Sequence, residues 1–159
     1  MTEHIRLIGK KLEHLCRMQT YLSWSAQQVG HIVPIHDWRP ITPVQHESLA
    51  AFRVRFSEFQ EHLGKIMRAI AIEEEENTEP FGAVLAFMEK LQLIDSTEHW
   101  KMIRELRNAV NHEYEDDTDR LAEFFRLLLE ETAALTGYFN NIRNYCKHAY
   151  KLDIPDTCD

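Results

Sequence analysis

The segment Arg104-Glu105-Leu106-Arg107-Asn108-Ala109-Val110-Asn111-His112-Glu113-Tyr114 gathers two guanidiniums, two amides, an imidazole and a phenol into about three helical turns. That is more donor chemistry than a surface helix needs for solubility. An arginine offers a planar fork that matches phosphate oxygens, and an imidazole with a reference pKa of about 6.5 exchanges a proton near neutral pH. On an ideal helix at ~100° per residue, Met102, Ile103, Leu106, Ala109 and Val110 fall on one side. Arg104, Arg107 and Asn111 fall within an arc of about 60° on another. The first side reads as core. The second, with Trp100 at its border as a core or dimer-edge aromatic and Tyr114 two turns on, faces a neighbour or a ligand.

His112 lies roughly 140° round from Arg107 if the helix stays regular, so one copy struggles to aim both side chains at one atom. Either the helix ends near Asn111 and frees His112 to swing, or two copies meet across a twofold axis and their groups converge. We favour the second, helped by the first. The acidic run Glu113, Glu115, Asp116 and Asp117 is unfavourable at a helix C-terminus, which argues for an end close to His112.

Arg107, His112 and Tyr114 stand in the order Arg-x4-His-x-Tyr, with Asn108 directly after the arginine. This resembles the signature of the HEPN superfamily, in particular the HepT-like toxins. A preceding helix over Phe81 to Leu93, the Ile94-Asp95-Ser96 break, the Trp100 helix and a long helix after the motif are similar to that family's layout, over roughly residues 1 to 150. The resemblance implies a dimeric endoribonuclease with a composite cleft between the two chains. RNA carries its own nucleophile, the 2′-OH, so cleavage without a metal needs a base for that proton, an acid for the 5′ oxygen and fixed positive charge for the phosphorane. Arg107 and His112 are the catalytic candidates, with two copies of His112 supplying acid and base. Asn108, Asn111 and Arg104 support or contact the substrate, Asn111 alternatively capping the helix end.

The same resemblance implies a partner, a minimal nucleotidyltransferase antitoxin, that attaches AMP to Tyr114 and so silences cleavage of tRNA or another RNA. A phosphodiester on that phenol would put a negative charge where Arg107 should hold RNA. No Gly-Ser with downstream Asp-x-Asp occurs here, so the transferase is a separate chain. The alternative keeps the fold without catalysis, as an accessory, substrate-presenting subunit of a nucleotidyltransferase. Taken alone, Arg107 also reads as a surface ion pair with Glu105, Glu113 or Asp116, and Tyr114 as an ordinary packed phenol.

The elements that must position the motif follow from periodicity. Residues 2 to about 29 carry Ile5, Ile8, Leu12, Leu15, Met18 and Leu22 at helical spacing. Gly30, Pro34 and Pro40 mark a loop from His31 to Pro40. Thr42, Pro43 and Gln45 predict a capping box that opens a helix running to about Glu74, with Leu49, Phe52, Phe56, Phe59, Leu63, Ile66 and Ile70 as its buried stripe. After Pro80 a short helix follows through Phe81, Val84, Leu85, Met88 and Leu91. Asp95 or Ser96 caps the next, with Glu98 placed to close a box on Asp95. Asp117 or Thr118 starts a fifth helix of over thirty residues whose stripe is Leu121, Phe124, Phe125, Leu128, Thr132, Leu135, Phe139 and Ile142. The sum is an all-α, up-and-down bundle of about five helices, HEPN-like and dimeric. It forms one domain over residues 1 to 159, with a loosely ordered tail from about 151.

Composition bounds the rest. A chain of 159 residues can bury a core without metals or disulfides. Cys16, Cys146 and Cys158 are an odd number without Cys-x-x-Cys spacing and read as reduced thiols in a cytoplasmic protein. The absence of a signal peptide or an apolar run near 18 residues argues against secretion and membrane spanning. The net charge of −8 counts against nonspecific nucleic-acid binding. Acid is concentrated in Glu73 to Glu76 and Glu113 to Asp119, however, apart from Lys101, Arg104, Arg107 and the N-terminal Arg6, Lys10, Lys11 and Arg17. A small positive cleft can therefore survive on an acidic body. Nine histidines do not make a metal site: no Glu-x-x-His spacing occurs, and His31 and His36 only straddle a proline loop. No metal and no cofactor is expected.

Overall fold

The computed structural model describes residues 2–109 and 117–158. Among them every regular element is helical: α1 (Glu3–Gly30), α2 (Pro43–Glu73), α3 (Phe81–Lys90), α4 (Thr97–Asn108) and α5 (Thr118–Ala149). The starts follow local chemistry. Thr42 accepts from the Gln45 amide while the Gln45 side chain returns to the Thr42 N–H, and Pro43 occupies the first turn, where it forfeits no bond. Asp117 caps α5 by accepting from the amides of Asp119 and Arg120.

Side-chain pairings fix the topology. His4 meets Glu73 and Ser25 meets Arg55, so α1 and α2 run antiparallel. Gln60 meets Arg107, and Gly64 faces Trp100, which makes α4 antiparallel to α2. His99 meets Glu131 and Asp95 meets Tyr138, so α5 is antiparallel to α4. Helices α1, α2, α4 and α5 thus alternate up and down, and α3 packs on α2 and α4. The predicted stripe of α2 is wholly buried, as is that of α5 apart from a slight exposure of Phe124 and Thr132. Each fully buried Phe or Leu contributes about 1.5–3 kcal/mol over an exposed one. Phe59 of α2 packs edge-on against Phe139 of α5, which locks the centre.

Two features differ from expectation. Residues after α5 were expected to trail loosely, but Leu152 is buried against Gly9 of α1 and Thr20 donates to the Cys158 carbonyl. In addition, Cys16 and Cys158, expected as reduced thiols, are joined as a disulfide, and only Cys146 is free, buried inside the bundle. Their separation of 142 residues hides the pairing from any reading of local spacing. It arises because α5 returns antiparallel to α1 and its following segment folds back. The cysteines therefore no longer argue for a cytoplasmic location, since stable disulfides belong mostly to oxidising compartments. Among the described residues, no helix is long and apolar enough to cross a membrane.

Candidate functional site

α4 is set in place from its N-terminus. Ser96 accepts from the His99 amide and is the N-cap. Asp95 does not close the expected box with Glu98, because its carboxylate is taken by the Tyr138 hydroxyl, the His99 imidazole and the Ser96 amide. His99 sits between two carboxylates, with Nδ1 2.7 Å from Asp95 and Nε2 2.6 Å from Glu131. Burial disfavours the imidazolium, but the hydrogen bonds and charges of Asp95 and Glu131 outweigh burial and raise the pKa above the usual histidine value. Burial works against the Asp95 carboxylate too, and Tyr138 and His99 overcome it, holding its pKa low. Burial, then Asp95, raises the Tyr138 phenol.

This clamp sets the rotation of α4. Trp100, 2% exposed, and Ile103 point into the core, whereas Met102, expected there, is 40% exposed. On the helical wheel Arg107 lies only about 20° from Trp100, so it is half-buried and not on an outward stripe. Its Nη1 donates to Oε1 of Gln60, a side chain 2% exposed on α2, at 2.7 Å. α4 ends at Asn108 with Ala109 as C-cap, earlier than the expected end near His112. Asn111, His112 and Tyr114 lie outside the described residues.

Arg104, Arg107 and Asn108 line one side of an open groove of about 610 Å³. The floor and far wall come from α2 through Gln60, Gly64, Lys65 and Arg68, and Lys11 of α1 closes one edge. Among the described residues Glu61 is the single carboxylate in the lining, against five Lys and Arg side chains. The positive cleft that the uneven charge distribution allowed is therefore present on a chain of net charge −8. Arg68 lies over the ring of Phe81, 5.1 Å from its centroid. Such a lining can hold phosphate oxygens through guanidinium and ammonium donors.

Sequence reasoning found Arg104, Arg107 and Asn108, and named Lys11 only for its charge. It missed Gln60, Lys65 and Arg68. A signal existed: Glu61, Lys65 and Arg68 recur at spacings of four and three beside the apolar stripe of α2, with Gly64 among them. Only the crossing of α4 over α2 gives that row a meaning. Among the described residues, no group of three or more His, Cys, Asp or Glu is placed to hold a metal ion. Comparison with protein-family models, with curated proteins and with solved structures gives no match to this chain. The resemblance to HEPN proteins thus rests on the motif residues and the helix order alone.

Proposed function

We propose that this chain is a metal-independent endoribonuclease of the HepT-like toxin type, acting as a homodimer on tRNA or another RNA. The observation that carries the reading is the shared groove: Arg104, Arg107 and Asn108, singled out by type and spacing, open onto one predominantly cationic cavity. In this reaction the RNA 2′-oxygen attacks the adjacent phosphorus and the bond to the 5′-oxygen breaks. One His112 takes the 2′-OH proton, and the His112 of a second copy protonates the leaving 5′-oxygen. Arg107 stabilises the charge that builds on the phosphorane, where a positioned donor is worth far more than in water. Asn108 and Asn111 contact the phosphate, and Arg104 holds a neighbouring one. Adenylylation of Tyr114 by a separate nucleotidyltransferase antitoxin would place an anion and a purine beside Arg107 and switch the enzyme off.

The test is incubation of the purified protein with total tRNA in EDTA, beside Arg107→Ala and His112→Ala. Cleavage by the parent alone supports the nuclease. No cleavage by the parent, together with tight binding of a nucleotidyltransferase, replaces the nuclease with an accessory, substrate-presenting subunit.

A further inference from the structure

The groove does not end at the motif. Lys11 and Lys65 also line a second, smaller cavity of about 130 Å³, together with His14 and His62. The cationic lining therefore continues from the end of α4, across α2, onto α1. Lys11, Lys65, Arg68 and Arg104 are all solvent-exposed, and among the described residues none of them is held by a carboxylate. Four exposed cations in a row, on a protein with an excess of acid, are more than solubility calls for. His62 registers the field at the far end: burial lowers its pKa first, and Lys65 and Lys11 lower it further against Glu61 and Glu58.

We propose that Arg68, Lys65 and Lys11 form a track for the backbone of a single-stranded RNA leaving the Arg104–Arg107 site, binding consecutive phosphates without regard to base. The RNA class rests on the ribonuclease reading above; the track itself rests on charge and shape. A groove of about 610 Å³ is in the range of small-ligand clefts, a scale that takes a short stretch of one strand. Base-stacking surface is scarce in it: Trp100 is buried, and the half-buried Phe81 ring is covered by the Arg68 guanidinium. Contact is thus with phosphate, which positions a strand but does not read it.

The experiment is fluorescence anisotropy with a labelled 2′-O-methyl oligouridylate, which lacks the 2′-OH nucleophile, so that binding is measured without cleavage. Each cation removed should reduce the slope of log K against log salt by about 0.7. Lys65→Gln combined with Arg68→Gln should therefore lose about 1.4 of the wild-type slope and bind at least tenfold more weakly at low salt. Lys90→Gln, an exposed cation on α3 away from the groove, should bind as wild type. Equal binding of oligouridylate and a mixed-sequence strand supports the track. It is overturned if the wild type fails to bind, if the double variant keeps the wild-type slope, or if polyglutamate displaces the strand as well as RNA does. Cleavage of ordinary RNA is scored separately. Loss of binding in the double variant with no cleavage by any protein keeps the track and removes the nuclease, whereas cleavage with an unchanged KM in the double variant does the reverse.

Discussion

Arg107 is anchored to Gln60: the guanidinium of α4 donates to a buried amide oxygen of α2 across 2.7 Å. A long, flexible side chain is thereby held in one direction before any ligand arrives, with the cost of ordering it already met in folding. Gln60→Leu keeps the volume and removes the acceptor. On the ribonuclease reading proposed above, losing a contact on the scale of a hydrogen bond to a charged group, about 1.5–3 kcal/mol, should lower kcat about ten- to hundredfold with KM little changed. The thermal midpoint should fall by only a few degrees, because an apolar side chain suits the buried site and the half-buried Arg107 guanidinium can turn to water. Undiminished kcat in Gln60→Leu would remove Gln60 from the site.

His99 links the site helix to α5 through two carboxylates, and its contribution to stability depends on pH. Its folded pKa is raised, and Asp95, Glu131 and Tyr138 are the titratable groups facing it. The stabilisation is complete below the unfolded value of about 6.5 and drains away as pH rises through the folded pKa. Asp95, with a lowered pKa, sets the acid limit: its share is lost as pH falls through that folded value, below the ordinary 3.8. His99→Gln preserves hydrogen bonding and deletes the charge. The parent should melt higher than His99→Gln near pH 6, by about 2–4 °C for a difference on the order of 1 kcal/mol, and the gap should close by pH 9. A gap that is constant with pH would mean that His99 acts by packing alone.

Local chemistry was legible in the sequence, and crossings were not. The Thr42, Pro43 and Gln45 cap, the α2 stripe and the length of α5 depend on neighbours within a few residues, and each appears in the structure. The rotation of α4 was misjudged, because apolar Met102 counted toward the core while the pull of the His99 clamp from Glu131, 32 residues away, was invisible. Asp95 illustrates the same limit: as a cap it competes only with Ser96, but in the fold Tyr138 claims it from 43 residues on. The α4 side of the groove, Arg104, Arg107 and Asn108, stands out in the sequence because its chemistry is dense there. Its α2 wall was missed because Gln60, Lys65 and Arg68 are ordinary surface types until a second helix lies across them.

The disulfide between Cys16 and Cys158 ties the segment after α5 to α1 and closes almost the whole chain into a loop. Restricting the unfolded chain over such a span contributes about 2–5 kcal/mol, so reduction of the oxidised protein should lower the thermal midpoint by on the order of 10 °C. Cys158→Ser should melt at the reduced parent's temperature and be insensitive to reductant. Cys146→Ser should retain the full response to reductant, since Cys146 is the free thiol. Denatured, unreduced protein should show one titratable thiol per chain; three would mean that the bridge does not form.

Gly64 sits in the interior of α2, where glycine costs about 0.5–1 kcal/mol relative to alanine, and it lines the groove between Phe81 and Trp100. A methyl group there would meet Phe81 at 3.5 Å and Trp100 at 3.6 Å, ordinary van der Waals contact. Gly64→Ala should therefore raise the thermal midpoint by about 2–4 °C and leave oligonucleotide binding near the parent's. Gly64→Leu should instead extend into the space proposed for phosphate and weaken binding more than tenfold, with circular dichroism still reporting a full helical bundle. If Gly64→Leu folds and binds RNA as the parent does, the strand runs elsewhere on the surface, and the cationic lining of this groove serves another purpose.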